Sequence, residues 1–210
     1  MIRVAPEGYP FIAGAWVIWL ILAAFQWWLA AILWFPIAVW VVAFFRNPDR
    51  DGPRGEDLLI APADGKVVSV LDAIDEPDFF GEHVKRVSIF MNVFNVHVNR
   101  YPASGTVAYC HHHSGRFLNA ASEKASLENE QSSVGLDTSR GKILVRQIAG
   151  LVARRIVTDH SESTSVTQGE RMGLIRFGSR VDLFLPRGTE ILVSTGDTTK
   201  AGQTVVAKWT

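Results

Sequence analysis

Gly173-Leu174-Ile175-Arg176-Phe177-Gly178-Ser179-Arg180-Val181-Asp182-Leu183-Phe184-Leu185 is the stretch on which the fold turns. Two short, β-prone runs, Gly173–Phe177 and Val181–Leu185, flank a Gly-Ser pair, and Pro186-Arg187-Gly188 closes the second. Runs this short, bounded by turn formers, predict strands. The pattern repeats outward. Leu58–Ala61, Lys66–Leu71, Lys85–Met91, Val96–Arg100, Thr106–Cys110, Lys142–Ile148 and Val152–Val157 read as strands, as do Ile191–Ser194 and Thr204–Ala207. Only Ala121–Gln131 reads as a helix. This density predicts a mainly β, α+β domain over residues 51–210: an antiparallel sandwich or partly closed barrel with one or two helices packed on it. Two similar turn-plus-strand units begin at Pro62-Ala63-Asp64-Gly65-Lys66-Val67 and Gly196-Asp197-Thr198-Thr199-Lys200.

Residues 1–50 are of another kind. No charged residue lies between Gly8 and Phe45, and six of the seven tryptophans fall before residue 41. One membrane-crossing helix needs about 20 apolar residues, so this stretch predicts a helical hairpin, Phe11–Phe25 and Trp28–Phe45, turning near Gln26-Trp27-Trp28. The first arm is short for a full span, which leaves one span or two open. A cleaved signal would stop after an apolar core of about 7 to 15 residues; here apolarity continues. Arg3, Arg46 and Arg50 flank the hairpin on one side, and positive charge marks that side as cytoplasmic. The expected location is the cell membrane, with the β domain on its cytoplasmic face.

Lys plus Arg and Asp plus Glu both number 21, so no basic footprint for nucleic acid exists. Cys110 is the single cysteine, which excludes an intrachain disulfide framework. No strand–helix alternation or glycine-rich phosphate loop suggests a nucleotide site.

Gly178-Ser179 is the only Gly-Ser dipeptide in the chain. A serine hydroxyl can attack the carbonyl before it only from a strongly bent backbone, and a preceding glycine removes the Cβ clash opposing that bend. By itself the pair reads more simply as a turn. Asp64, in a Pro-Ala-Asp-Gly turn, reads as a turn aspartate bonding its own backbone, and His97, in an alternating strand, as a satisfied core residue. Cys110-His111-His112-His113 invites a metal, but neighbouring strand residues point to opposite faces, so none is expected there.

Several segments together change these readings. Ala61-Pro62-Ala63-Asp64-Gly65-Lys66-Val67, Phe94-Asn95-Val96-His97-Val98-Asn99-Arg100 and Phe177-Gly178-Ser179 resemble the phosphatidylserine decarboxylase family, in its short bacterial and archaeal branch. Gly115-Arg116-Phe117-Leu118-Asn119-Ala120, Lys124-Ala125-Ser126, Glu128-Asn129-Glu130, Arg154-Arg155-Ile156-Val157 and the Phe44-Phe45-Arg46-Asn47-Pro48 junction extend the match in order along the chain. The resemblance implies a self-cleaving proenzyme, a pyruvoyl-dependent carboxy-lyase. Ser179 Oγ attacks the Gly178 carbonyl, and the chain parts into a large product, 1–178, and a small one, 179–210, which stay together as a heterodimer. Ser179 becomes the covalent pyruvoyl group. That group forms a Schiff base with phosphatidylserine, which loses carbon dioxide to give phosphatidylethanolamine.

The resemblance further makes Asp64 the carboxylate that orients or assists a base, and His97 the group that transfers a proton during decarboxylation. Arg100 and Arg180 stand where the long branch has a histidine and a threonine, so the base activating Ser179 cannot simply be carried over: His97 and His113 are both candidates. Arg100 and Arg180 are candidates for the substrate's carboxylate or phosphate. Oligomeric state and headgroup specificity stay open. Two rival functions are a non-catalytic membrane adaptor on a biotinyl-carrier-like β domain, prompted by the two similar turns, and a membrane-tethered metal protein using His111–His113.

Overall fold

The computed structural model describes residues 3–116, 128–150, 155–176 and 179–210, in two compact units, Met1–Asp49 and Arg50–Thr210. The division falls one residue earlier than the sequence suggests. Arg50 joins the second unit because its guanidinium donates to Asp64 Oδ2 (2.7 Å) and Gln203 Oε1 (3.1 Å).

In the first unit a 3-10 turn, Pro6–Gly8, runs into α1 (Tyr9–Ala24), and α2 (Trp28–Phe44) returns antiparallel. Gln26 takes the left-handed conformation that reverses the chain, φ 58°. Trp34 Nε1 donates to Ala15 O across the pair at 2.9 Å. Trp16, Trp19 and Phe35 form an edge-to-face aromatic cluster. Gly8 allows the hairpin base to close, since a Cβ there would lie 2.5 Å from that of Phe45. The chain ends meet through Ala5 N–H to Phe45 O and Asn47 N–H to Arg3 O, both 2.8 Å. The first arm is longer than the sequence suggested, because the turn at Pro6 and Pro10 in the first helical turn extend it backwards. Pro6–Ala24, with 19 residues, is long and apolar enough to cross a membrane; Trp28–Phe44 is shorter. Both helices are apolar all round, and Leu29, Ile32 and Leu33 are each about two-thirds exposed or more, a pattern suited to lipid contact.

The second unit begins with β1 (Leu58–Ile60), β2 (Gly65–Glu76), β3 (Glu82–Met91), β4 (Val98–Arg100) and β5 (Gly105–His113). It continues with β6 (Gln131–Thr138), β7 (Gly141–Ile148), β8 (Ile156–Thr158), β9 (Ser165–Val166) and β10 (Arg171–Ile175). β11 (Ser179–Leu185), β12 (Thr189–Ile191), β13 (Thr198–Thr199) and β14 (Val205–Trp209) complete it. Eight strands form a sheet curled into a half-barrel, ordered β13-β2-β3-β11-β7-β6-β5-β9. Two three-stranded sheets, β1-β14-β12 and β4-β10-β8, accompany it. The two similar turns of the sequence pack together as β13 on β2, with Thr199 opposite Gly65.

β11 is central, and every residue in it is buried. Val181, Leu183 and Leu185 face the main core with Val87 and Ile89 of β3. Phe184 faces the other way, against Leu144 and Val84. On that outer face Arg180 and Asp182, both fully buried, pair bidentately: Nε to Oδ1 at 2.6 Å and Nη2 to Oδ2 at 2.9 Å. Arg86, also buried, lies 3.9 Å from the same carboxylate. Removing one partner of a buried pair strands the other's charge, at about 3–5 kcal/mol. Asp182→Asn, made in an uncleavable Ser179→Ala background, is therefore expected to lose roughly that much stability. An unshifted denaturant midpoint would refute this electrostatic account of the outer face.

The expected helix Ala121–Gln131 lies mostly outside the described residues; Glu128 is helical, and Gln131 already begins a strand. One sequence reading fails at β6. Gln131–Thr138 was not expected to be a strand at all. Its Gly135 sits under the Phe79 ring, where a Cβ would come within 2.8 Å. Phe79 is held there by Glu76, whose Oε2 accepts from the Phe79 and Phe80 N–H groups. The expected strands Val152–Val157 and Gly173–Phe177 are seen as Ile156–Thr158 and Arg171–Ile175, with residues 151–154 and Phe177 outside the described set.

Candidate active site

One row of paired residues crosses five antiparallel ladders: Lys66, Phe90, Arg180, Ile148, Gln131 and His113. It marks one end of the large sheet. Ser179 lies one residue beyond the row, opposite Met91, and faces inward because strand neighbours alternate. Ser179 is fully buried, and its Oγ has no hydrogen-bond partner among the described residues. Leaving a buried polar group unbonded costs about 1–3 kcal/mol, which an alanine would avoid. A serine kept here at that cost is better explained by reactivity than by packing. Gly178 lies outside the described residues.

Above the same face runs β4, anchored at its start and its end. Ile175 N–H donates to His97 O (3.3 Å), and Arg100 N–H donates to Pro62 O (2.9 Å). His97 is fully buried, and its Nδ1 is 3.1 Å from Asn95 O. A carbonyl only accepts, so this hydrogen bond puts a proton on Nδ1. Two residues on, Asn99 points to the sheet. Its Nδ2 is 3.5 Å from Met91 Sδ, and Met91 is the residue opposite Ser179. Gln147 Nε2 fixes the amide by donating to Asn99 Oδ1 at 2.8 Å; Thr158 Oγ1 in turn donates to Gln147 Oε1 (3.3 Å). Ser132 Oγ continues the chain to Thr158 Oγ1 at 2.9 Å. The sequence reading missed this buried polar chain. Its only advance signal was polar residues inside otherwise apolar strands.

Asp64 stands at the same end, two residues before Lys66, and is nearly buried. Its Oδ2 accepts from Arg50 and its Oδ1 from the Ala201 N–H at 2.8 Å. It therefore ties the 62–64 turn, on which β4 rests, to both ends of the second unit. Arg100 is half-buried and donates to Gly169 O at 2.9 Å.

Two of the sequence candidates are not brought to Ser179. Arg180 points to the opposite face and binds Asp182 and the Ser88 hydroxyl (3.0 Å), so its guanidinium is turned away from any ligand at Ser179. His113 belongs to the outward-facing row, is exposed, and lies three strands from β11, about 14 Å at the usual strand spacing. Among the described residues no three His, Cys, Asp or Glu side chains converge as a metal site. His111, His112 and His113 are all exposed.

Comparison with known proteins bears on this arrangement. Residues 37–207 match the family model described as phosphatidylserine decarboxylase. Proteins named phosphatidylserine decarboxylase proenzyme from Rickettsia typhi, Rickettsia prowazekii and Rickettsia felis are similar to it. Each is 48% identical over 204 residues, covering 96% of this chain and 88% of the relative.

Proposed function

This chain belongs to the phosphatidylserine decarboxylase family, and from that premise we propose that it is a self-processing proenzyme converting phosphatidylserine to phosphatidylethanolamine and carbon dioxide. The observation that carries this reading is the buried, unbonded Ser179 hydroxyl at the start of the central strand. The carrier-like alternative rested on the two similar turns, and the fold uses those to pair β13 with β2.

In the proposed maturation His97 takes the Ser179 proton as Oγ attacks the Gly178 carbonyl. The amide becomes an ester; loss of the β-oxygen frees the Gly178 carboxyl and leaves a dehydroalanine at 179. Water then replaces its nitrogen, ammonia departs, and a pyruvoyl cap remains on the small product. The products 1–178 and 179–210 stay associated because β11 is laddered to β3 and β7, both in the large product.

The site fits such a group: its precursor sits buried among apolar core residues, with polar groups approaching from β4. When formed, the cap supplies an electrophilic carbonyl that accepts a primary amine and takes up the electron pair left by departing carbon dioxide. The remaining work falls to the chain's own side chains. His97 holds the proton to be returned to the substrate's α-carbon. Asn99 and Gln147 keep the inner face polar and fixed, and Asp64 holds the turn beneath β4. Of the two arginines, Arg100 alone is kept as a candidate ligand for the lipid's anionic groups. The apolar hairpin would hold the second unit at a membrane's cytoplasmic face, where the substrate headgroup is presented.

The test is direct. Purified full-length protein, given vesicles of carboxyl-labelled phosphatidylserine, should release the label as carbon dioxide while phosphatidylethanolamine accumulates. Absence of both products from cleaved, folded protein would refute the assignment.

A further inference from the structure

The polar side chains buried behind Ser179 form one chain whose hydrogen bonds all run the same way. Thr158 Oγ1 donates to Gln147 Oε1 (3.3 Å). Its single proton is then used, so Ser132 Oγ, 2.9 Å away, is the donor to Thr158. Gln147 Nε2 donates to Asn99 Oδ1 (2.8 Å), which turns the Asn99 amide nitrogen the other way. Among the described residues that nitrogen meets only Met91 Sδ, at 3.5 Å. A thioether is a weak acceptor. Aligned donors polarise one another, so the chain strengthens the N–H at its end and then leaves it on the poorest partner in the series.

The strand register places that end. Met91 of β3 stands opposite Ser179, and Gln147 of β7 stands opposite Val181. Directly opposed residues share a face of the sheet, here the inner one. Asn99 touches Met91 on one side of β11 and Gln147 on the other, so its carboxamide lies over the Ser179 end of that strand. Asn99, Gln147, Met91 and Ser179 are all fully buried. We propose that Asn99 is a catalytic residue of self-cleavage, its Nδ2–H meeting the negative charge that forms as Ser179 Oγ adds to the preceding carbonyl. Gln147, Thr158 and Ser132 are the positioning residues that hold the amide in this sense. The inference rests on the self-cleavage of the proposed function. In that step the Oγ proton goes to His97, Oγ bonds to the carbonyl carbon, and the carbonyl π pair moves onto its oxygen. The attacking and the negative oxygen then share one carbon, so a donor held beside Oγ serves both. No proton leaves Asn99. A fixed donor in a water-free site costs no reorganisation as charge develops, whereas a reversed amide would set Oδ1 against that charge.

The experiment follows the full chain as it emerges from cell-free synthesis, with the split fraction read against time on a denaturing gel. In Asn99→Asp the carboxylate still accepts from Gln147 Nε2 but has no proton to offer, and cleavage at neutral pH should slow about a hundredfold. Once protonated, the carboxyl donates again, so the ratio of variant to wild-type rate should climb as pH is lowered. The ratio is used because protonation of His97, the proposed base, slows both chains alike. Gln147→Glu supplies a second variant: its carboxylate accepts from Asn99 instead of donating to it, turns the amide round, and should slow cleavage to a similar extent. A wild-type rate in Asn99→Asp at neutral pH would overturn the proposal. So would a loss of the same size at every pH in both variants, which would make the two amides structural. Wild-type chain that never splits would instead remove the proposed function.

Discussion

Ser179→Ala protein is expected to remain one chain on a denaturing gel, while wild type resolves into a large and a small fragment. The expected effect is total because no other group can replace the attacking oxygen. Ser179 is buried, at the first position of a strand laddered on both sides. Water reaching the Gly178 carbonyl of the variant would leave an ordinary alanine, not a keto cap, at the new terminus. The same variant should release no carbon dioxide from phosphatidylserine at any enzyme concentration. Its fold should survive, since alanine removes a hydroxyl that nothing among the described residues engages. An unprocessed protein that still decarboxylates would separate activity from cleavage and refute the mechanism.

His97→Gln should show the next largest loss. General acid–base catalysis by a positioned group contributes about 10²–10⁴-fold in rate. His97 directly precedes β4, the strand that lies over the sheet face bearing Ser179, and its Nδ1 is 3.1 Å from Asn95 O. Glutamine keeps a polar side chain of similar reach but cannot take up a proton near neutral pH. Self-cleavage, followed as the fraction of split chain against time, should slow by at least a hundredfold. The fraction that does mature should decarboxylate slowly as well. Normal cleavage with lost turnover would confine His97 to the second reaction, and normal rates in both would remove it from the site. His113→Gln, altering an exposed residue on the far face, should leave both rates unchanged.

The parts of this protein legible in its sequence were those where one residue type dominates a segment. The charge-free run from Gly8 to Phe45 marked the helical hairpin, and the reversal at Gln26 fell where the apolar arms meet. β-Branched runs marked β3, β7 and β11. β6 was hidden because its polar residues are satisfied by distant partners, Ser132 by Thr158 and Ser133 by Arg146. Gly135, which weakens any strand pattern, is explained only by a ring from another turn. At the site, Asp64, His97 and Ser179 stood out through their motifs, whereas Asn99 and Gln147 became visible only once β4 was seen lying over β7. Arg180 teaches a different lesson. The sequence reading began this strand at Val181 and left Ser179 and Arg180 between strands; once β11 starts at Ser179, alternation turns Arg180 to the opposite face. The arginine's partner, Asp182, was two residues away on the same face.

The central claim is a covalent one, and intact mass spectrometry of purified full-length protein tests it most directly. The account predicts two species, residues 1–178 and 179–210, whose summed mass equals that of the uncut chain plus one water minus one ammonia. The smaller should resist stepwise degradation from its amino end. A single species with the mass of residues 1–210, or a small fragment beginning with an unmodified serine, would contradict it.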